Sequence, residues 1–148
     1  AREVFELGAL LQSLCDDLTD LGLPVACEDA AGQFLVLGWP DDLTRALRNI
    51  IENAVRYGGT ARVRVSGDGE TCRIEVDDDG PGIAEGDREV VFEPLVRLEK
   101  SRNSETGGHG LGLHISRNIV VAHGGQIRLE NRSEGGLRAL VSLPLCRV

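Results

Sequence analysis

Leucines at positions 7, 10, 11, 14, 18 and 21 recur every three or four residues, while Asp16, Asp17 and Asp20 stay off that stripe. Apolar positions at this period form one face of an amphipathic helix. Gly22 and Pro24 end it. Val25–Glu28 and Gln33–Leu37 read as two short strands around a turn at Ala30–Gly32. A second helix is predicted after Trp39-Pro40, with Asp41 or Asp42 near its N-terminus, running to Tyr57 before Gly58-Gly59. Its apolar face comprises Leu43, Leu47, Ile50, Ile51, Ala54 and Val55.

Ala61–Ser66 and Thr71–Asp77 alternate apolar and polar residues across Gly67-Asp68-Gly69, a hairpin signal. From Asp77 to Thr106 the pattern is loop-like, with a short apolar patch at Val90–Phe92. A third helix starts near Gly110 and reaches Ala122 or His123. Gln126–Glu130 and Leu137–Leu143 close the chain as a hairpin turning at Glu134-Gly135-Gly136. Strands that come mostly as hairpins favour an α+β fold over a doubly wound parallel one. The expected architecture is a two-layer α/β sandwich, a mixed and mainly antiparallel sheet with three helices on one face. No repeat, low-complexity tract or linker interrupts it, so residues 1–148 read as a single domain.

Composition narrows the picture. Hydrophobic residues make up 41% and charged residues 27%, a globular balance, and at 3% aromatics the core must be aliphatic. The net charge of −8 opposes a nucleic-acid backbone or an anionic membrane as partner. No apolar run approaches the roughly 20 residues of a membrane helix. The chain opens without Met and without a basic-then-apolar leader, as an excised piece would. Cys15, Cys27, Cys72 and Cys146 are scattered without metal-ligand spacing, so reduced thiols and a cytoplasmic setting are expected.

Common catalytic signatures are missing. There is no Walker-type loop, and Gly108-His109-Gly110-Leu111-Gly112-Leu113 carries Leu113 where a dinucleotide fingerprint needs its last glycine. No Ser or Cys sits in a nucleophile elbow. Three features remain, in fixed order. Asn49 and Asn53 lie four residues apart on one helix face, followed by Arg56 and Tyr57. An amide oxygen is a neutral ligand for a hard cation such as Mg²⁺, and an arginine one turn on can meet a phosphate; solvated or loop-capping asparagines are the plainer alternative. Next, Asp77-Asp78-Asp79-Gly80-Pro81-Gly82-Ile83 follows a strand directly. A carboxylate held there can accept from an exocyclic amine such as adenine's, and glycines let backbone approach a flat base, although Asp-Gly-Pro-Gly is also an ordinary turn. Last, Thr106 to Leu113 opens a helix with glycine-rich backbone, which presents free N–H groups and a positive dipole to a phosphate.

Together, and in this order, these motifs resemble the ATP-binding catalytic domain of sensor histidine kinases, in the Bergerat-fold superfamily that includes DNA gyrase and the Hsp90 chaperone. The resemblance covers nearly the whole chain. Leu47 to Tyr57 looks like the N box, Asp78 to Gly82 the first glycine box, Val91 to Arg97 the F box, and Gly108 to Gly112 the second glycine box. It implies that Asn53 ligates Mg²⁺ with Asn49 assisting, that Arg56 contacts phosphate, and that Tyr57 packs near the base. Asp78 would accept from the adenine amine, Gly80 and Gly82 would give the base room, and Ile83 would line the pocket. Residues from about Phe92 to His109 would form a lid over ATP, with Arg97 contacting phosphate and Lys100 and Arg102 as weaker candidates. Gly108, Gly110, Leu111 and Gly112 would cradle the phosphates, beside His109 where the family carries a small or polar residue.

The hydrolysing members of that superfamily place a glutamate four residues before the Mg²⁺ asparagine. This chain has Asn49 there, and an amide cannot take a proton from water at neutral pH. Efficient hydrolysis is therefore not expected, and transfer of the γ-phosphoryl group to a protein is. His109, His114 and His123 lack a His-Glu-Leu-Arg-like context, so the acceptor histidine is expected on a separate dimerisation domain. The resemblance further implies a homodimeric parent, anchored in the bacterial inner membrane with this domain in the cytoplasm, relaying phosphate to a response regulator, while the isolated domain is a monomer. A serine kinase of the anti-sigma type and a non-enzymatic nucleotide-sensing module are the alternatives, and the recognisable F box counts against the first.

Overall fold

A computed structural model describes residues 1–28, 32–84 and 112–146. Its strands are β1 (Glu3–Glu6), β2 (Val25–Cys27), β3 (Leu35–Gly38), β4 (Ala61–Gly67), β5 (Thr71–Asp77), β6 (Gln126–Asn131) and β7 (Leu137–Pro144). The helices among these residues are α1 (Leu7–Asp20), α2 (Pro40–Gly58) and α3 (Leu113–Ala122). Five strands form the main sheet in the order β2-β4-β5-β7-β6, antiparallel except for the parallel β2–β4 pair. The three helices pack on one face of it, with α2 running over β4, β5 and β7. This is the expected α+β sandwich.

Alternation along the strands creates the two layers. Val63 and Val65, Ile74 and Val76, and Val141 and Leu143 point inward and are buried. They meet Leu11, Leu14 and Leu18 of α1 and Leu43, Leu47 and Ile51 of α2. The outward positions carry charges that alternate in sign across strands: Arg62, Asp77, Arg138 and Glu130 form one row. Arg64 in the next row pairs with Glu75 at 2.9 Å.

The N-terminal region departs from the sequence reading. The segments on either side of Ala30–Gly32 are not partners: β2 pairs in parallel with β4, and β3 pairs with β1, a strand the pattern did not reveal, in a small second sheet. Periodicity identifies a strand but not its neighbour, and Glu3–Glu6 is too short and too polar to alternate clearly. Leu21 is 66% exposed, because α1 ends at Asp20 in a Schellman turn. There Leu23 N–H donates to the Leu18 carbonyl, and Gly22 takes the positive φ that the motif requires.

Two side chains lock the layers together. Glu6 caps α1, its carboxylate accepting from Gly8 N–H at 2.9 Å, Ala9 N–H at 2.8 Å and Phe34 N–H at 2.8 Å. His123 at the end of α3 accepts from Trp39 N–H through Nε2 at 3.0 Å and meets the Ile119 carbonyl through Nδ1 at 2.8 Å, so the proton must sit on Nδ1. A side chain at Gly38 would run into that imidazole ring.

Burial pushes the Glu6 carboxyl up, but the N–H groups of Phe34, Gly8 and Ala9 outweigh it and hold the group below its ordinary value. A depressed carboxyl stabilises the fold fully above its unfolded pKa and stops doing so as pH falls through the folded one. Glu6→Gln, which turns one acceptor into a donor, should cost about 1 kcal/mol at neutral pH, a typical helix-cap loss. Urea denaturation series of both proteins should converge as the pH is taken below 4.5, the ordinary glutamate value.

Candidate nucleotide site

The chemistry collects where β5 ends against the C-terminal half of α2. The three aspartates there are not equivalent. Asp77 accepts a two-point pair from Arg138, 2.8 Å from Nε and 2.9 Å from Nη2, and Arg132 Nε lies 3.5 Å away. Asp79 accepts a second two-point pair from Arg62 at 2.9 and 3.0 Å. Asp78, only 5% exposed, receives no cation among the described residues. Its Oδ1 accepts from Gly80 N–H at 2.9 Å and Leu137 N–H at 3.1 Å, while Oδ2 accepts nothing from them.

The ionisation follows this geometry. Burial pushes the Asp77 carboxyl up, but the hydrogen bond and charge of Arg138, with the charges of Arg132 and Arg64, hold it below the ordinary range. At Asp79 the Arg62 hydrogen bond does the same on the surface. The outer carboxylates are thus spent on neighbouring arginines. The middle one is left for whatever fills the space beside it.

That space is a cavity of about 110 Å³ between α2 and the sheet. Ile50, Val76, Leu129 and Leu137 make it apolar, and Asp78, Asn53 and Tyr57 bring polar atoms to its wall. Pro81, Gly82 and Ile83 close one side. An apolar slot with a single carboxylate suits a flat, weakly polar ring that presents an N–H donor. Asn53, also in the wall, carries an amide oxygen of the kind a hard cation takes. Among the described residues no cluster of acidic, Cys or His side chains could hold a metal by itself. A Mg²⁺ ion that keeps its waters and takes most remaining ligands from phosphate fits such a single-ligand site.

Glycines bring the pieces this close. A side chain at Gly58 would strike the Asp78 carboxyl, and one at Gly80 would meet the Tyr57 carbonyl at 2.6 Å and Gly58 Cα at 2.8 Å. Gly80 therefore serves the packing of the loop against α2, whereas Gly82 borders the cavity itself. Gly112 is the N-cap of α3 with φ +65°. Asn49 Nδ2 donates to the Gly112 carbonyl at 2.9 Å and to Ser116 Oγ at 3.2 Å, and Ser116 donates to the Ala46 carbonyl at 3.0 Å. Asn49 thus ties α2 to the start of α3, one turn from Asn53.

Of the residues singled out from sequence, Asn53, Tyr57, Asp78, Gly82 and Ile83 come together around the cavity. Arg56 is exposed in the last turn of α2 and does not line it. Arg97, Gly108, His109, Gly110 and Leu111 lie outside the described residues, as does the segment expected to form the lid. Sequence reasoning missed Arg62, Arg138 and Arg132, whose alignment with the aspartates depends on strand register. It also missed Leu129 and Leu137, although their inward phase on β6 and β7 puts them on the face that the helices cover.

Comparison with known proteins agrees with this geometry. The profile of the histidine kinase-, DNA gyrase B- and HSP90-like ATPases matches residues 38–147. The sensor histidine kinase GtrS of Pseudomonas aeruginosa is 39% identical over 142 residues, which is 96% of this chain and 29% of that protein. The sensor histidine kinase CpxA of Escherichia coli K12 is 36% identical over 137 residues, 92% of this chain and 30% of its own. The chain therefore spans less than a third of the length of these relatives. Among solved structures, the ATP binding domain of PrrB from Mycobacterium tuberculosis superposes with a TM-score of 0.80 at 28% identity, covering 99% of this chain and 98% of that one. The mycobacterial sensor histidine kinase MprB, at 23% identity, shares the fold with a TM-score of 0.82 over the full length of both chains. With most of its length matched and its acidic strand end and asparagine-bearing helix meeting at one cavity, this chain belongs to the histidine kinase-, DNA gyrase B- and HSP90-like ATPase family.

Proposed function

We propose that this chain is the catalytic ATP-binding domain of a two-component sensor histidine kinase, which donates the γ-phosphoryl group of Mg-ATP to a histidine on a separate dimerisation domain. One observation carries the reading: of three adjacent carboxylates, Asp78 alone pairs with no cation among the described residues, and it borders an apolar cavity. Its Oδ2 can accept from the exocyclic amine of adenine. Guanine would present a carbonyl there, leaving the carboxylate unpaired at a cost of ~1–3 kcal/mol.

Asn53, in the cavity wall, would hold Mg²⁺, which when bound would supply charge neutralisation to the phosphates. Phosphoryl transfer needs positioning and electrostatic help more than covalent participation. The N–H groups at the start of α3 would supply such help, and the exposed Arg56 guanidinium, which does not line the cavity, would do so only for a phosphate that reaches beyond it. Arg97, with the amides of Gly108, His109, Gly110 and Leu111, would add to it from the intervening segment. Asn49 stands where a hydrolysing relative would orient water, and its amide is already engaged with Gly112. That supports transfer to a protein acceptor over release of phosphate. The parent is read as a membrane-anchored homodimer acting on a response regulator, with this domain on the cytoplasmic side and monomeric alone.

Calorimetric titration with a non-hydrolysable ATP analogue should show saturable binding that Mg²⁺ strengthens, with GTP much weaker. Asp78→Asn should lose at least tenfold in affinity with little change in melting temperature, because its Oδ1 can still accept from Gly80 and Leu137; unchanged affinity would remove the base site. Asn53→Ala should weaken binding chiefly when Mg²⁺ is present. Mixed with the parent's dimerisation domain and labelled ATP, the protein should label a histidine of that domain. Binding without labelling would point to a nucleotide-sensing module.

A further inference from the structure

The turn between β6 and β7 grips both ends of the loop that walls the cavity, through side chains that do not themselves line it. At the near end, Arg132 Nη1 donates to the Asp78 carbonyl at 3.0 Å and to the Gly135 carbonyl at 2.9 Å. The Arg132 side chain is only 11% exposed. Its Nη1 lies 3.4 Å from Asp79 Oδ1, and its Nη2 pairs with Glu134 at 3.1 Å. At the far end, Asn131 accepts from Ile83 N–H through Oδ1 at 3.0 Å and donates to the Ile83 carbonyl through Nδ2 at 2.9 Å.

These contacts exceed what stability alone asks. Arg138 already neutralises Asp77, and Arg62 already neutralises Asp79. Burying a further guanidinium is costly, and among the described residues Nε of Arg132 finds no hydrogen bond, lying 3.5 Å from Asp77 Oδ2. Arg132 directs its nearest hydrogen bonds at two main-chain carbonyls, one at the strand end and one in its own turn. That fixes the peptide between Asp78 and Asp79, which leads to Gly80, one of the two N–H donors that hold the Asp78 carboxylate. The Asn131 amide pairs with both backbone groups of Ile83, as a neighbouring strand would, where the sheet has ended. Two bonds to one residue fix its rotation and hold the Ile83 side chain in the wall.

We infer that Asn131 and Arg132 are positioning residues that set base selectivity, acting through Ile83 and Asp78 without touching the nucleotide. This rests on the reading of the cavity as the adenine site. The test compares wild type with Asn131→Asp, Arg132→Met and Arg132→Lys, titrated with the non-hydrolysable ATP analogue and its GTP counterpart, with and without Mg²⁺. Asn131→Asp keeps the acceptor for Ile83 N–H but faces the carbonyl with a second oxygen. It and Arg132→Met should each weaken the adenine analogue about tenfold and narrow the adenine-to-guanine ratio, leaving the Mg²⁺ dependence unchanged. Arg132→Lys should recover part of the ratio. Folded variants that bind with wild-type affinity and ratio would overturn the inference, as would a loss shared equally by both nucleotides. Should Arg132→Met fail to fold, Asn131→Asp decides alone. Wild-type protein that ignores adenine nucleotides would instead defeat the site assignment. In that case amide NMR shifts of Gly80 and Ile83 in the ligand-free variants still test the positioning: large shifts uphold it and unchanged ones refute it.

Discussion

Three carboxylates in succession at the end of a strand repel one another, and the surrounding structure depends on how that repulsion is settled. Like charges gathered at one strand end cost free energy that a marginally stable fold must offset. The sheet supplies the answer by register. Arg62 on β4 and Arg138 on β7 flank Asp77 across its two neighbouring strands, and the arginines divide the outer aspartates between them. Asp78, one residue on, has the opposite phase, and backbone amides hold it instead. Strand pleating thus separates a structural pair of charges from a chemically available one.

Helix α2 is the other fixed surface. Its apolar stripe buries Leu43, Leu47, Ile50 and Ile51 against the sheet, while Asn49 and Asn53 lie along its edge. Because Gly58 and Gly80 lack side chains, the helix end and the strand end meet at backbone contact distance. Asn49 secures the start of α3 to the same helix. The cavity walls accordingly come from rigid elements and from a loop held at both ends, the kind of framework a binding site needs for a defined geometry.

Much of this was legible in the sequence, for identifiable reasons. The helices and the two hairpins rest on periodicity and turn chemistry, which are local, and they were read to within a few residues. The asparagine pair stands out as two amides on one face of an apolar helix, and the Asp-Gly-Pro-Gly stretch because carboxylates and glycines are concentrated at the end of a strand. The N-terminal pairing was not legible, since a three-residue strand such as β2 carries no record of its partner. The arginines that neutralise Asp77 and Asp79 escaped notice because they lie up to 61 residues away in sequence and meet them only through register. Asn131 escaped for a similar reason: its role is to imitate a strand, and no spacing rule marks that.

The order of the strands also bears on how the molecule comes into being. The β4–β5 and β6–β7 hairpins are local and can form early, but β5 meets β7 only after the chain between them has closed on itself. Asp78 acquires both of its carboxylate hydrogen bonds only once that central pairing exists, since one donor is Leu137 at the start of β7. A partly folded chain holding only its hairpins therefore has the residues of the site and none of its recognition. Any ligand that selects the completed cavity would draw the chain toward the closed sheet by mass action, tying occupancy to a long-range step of folding.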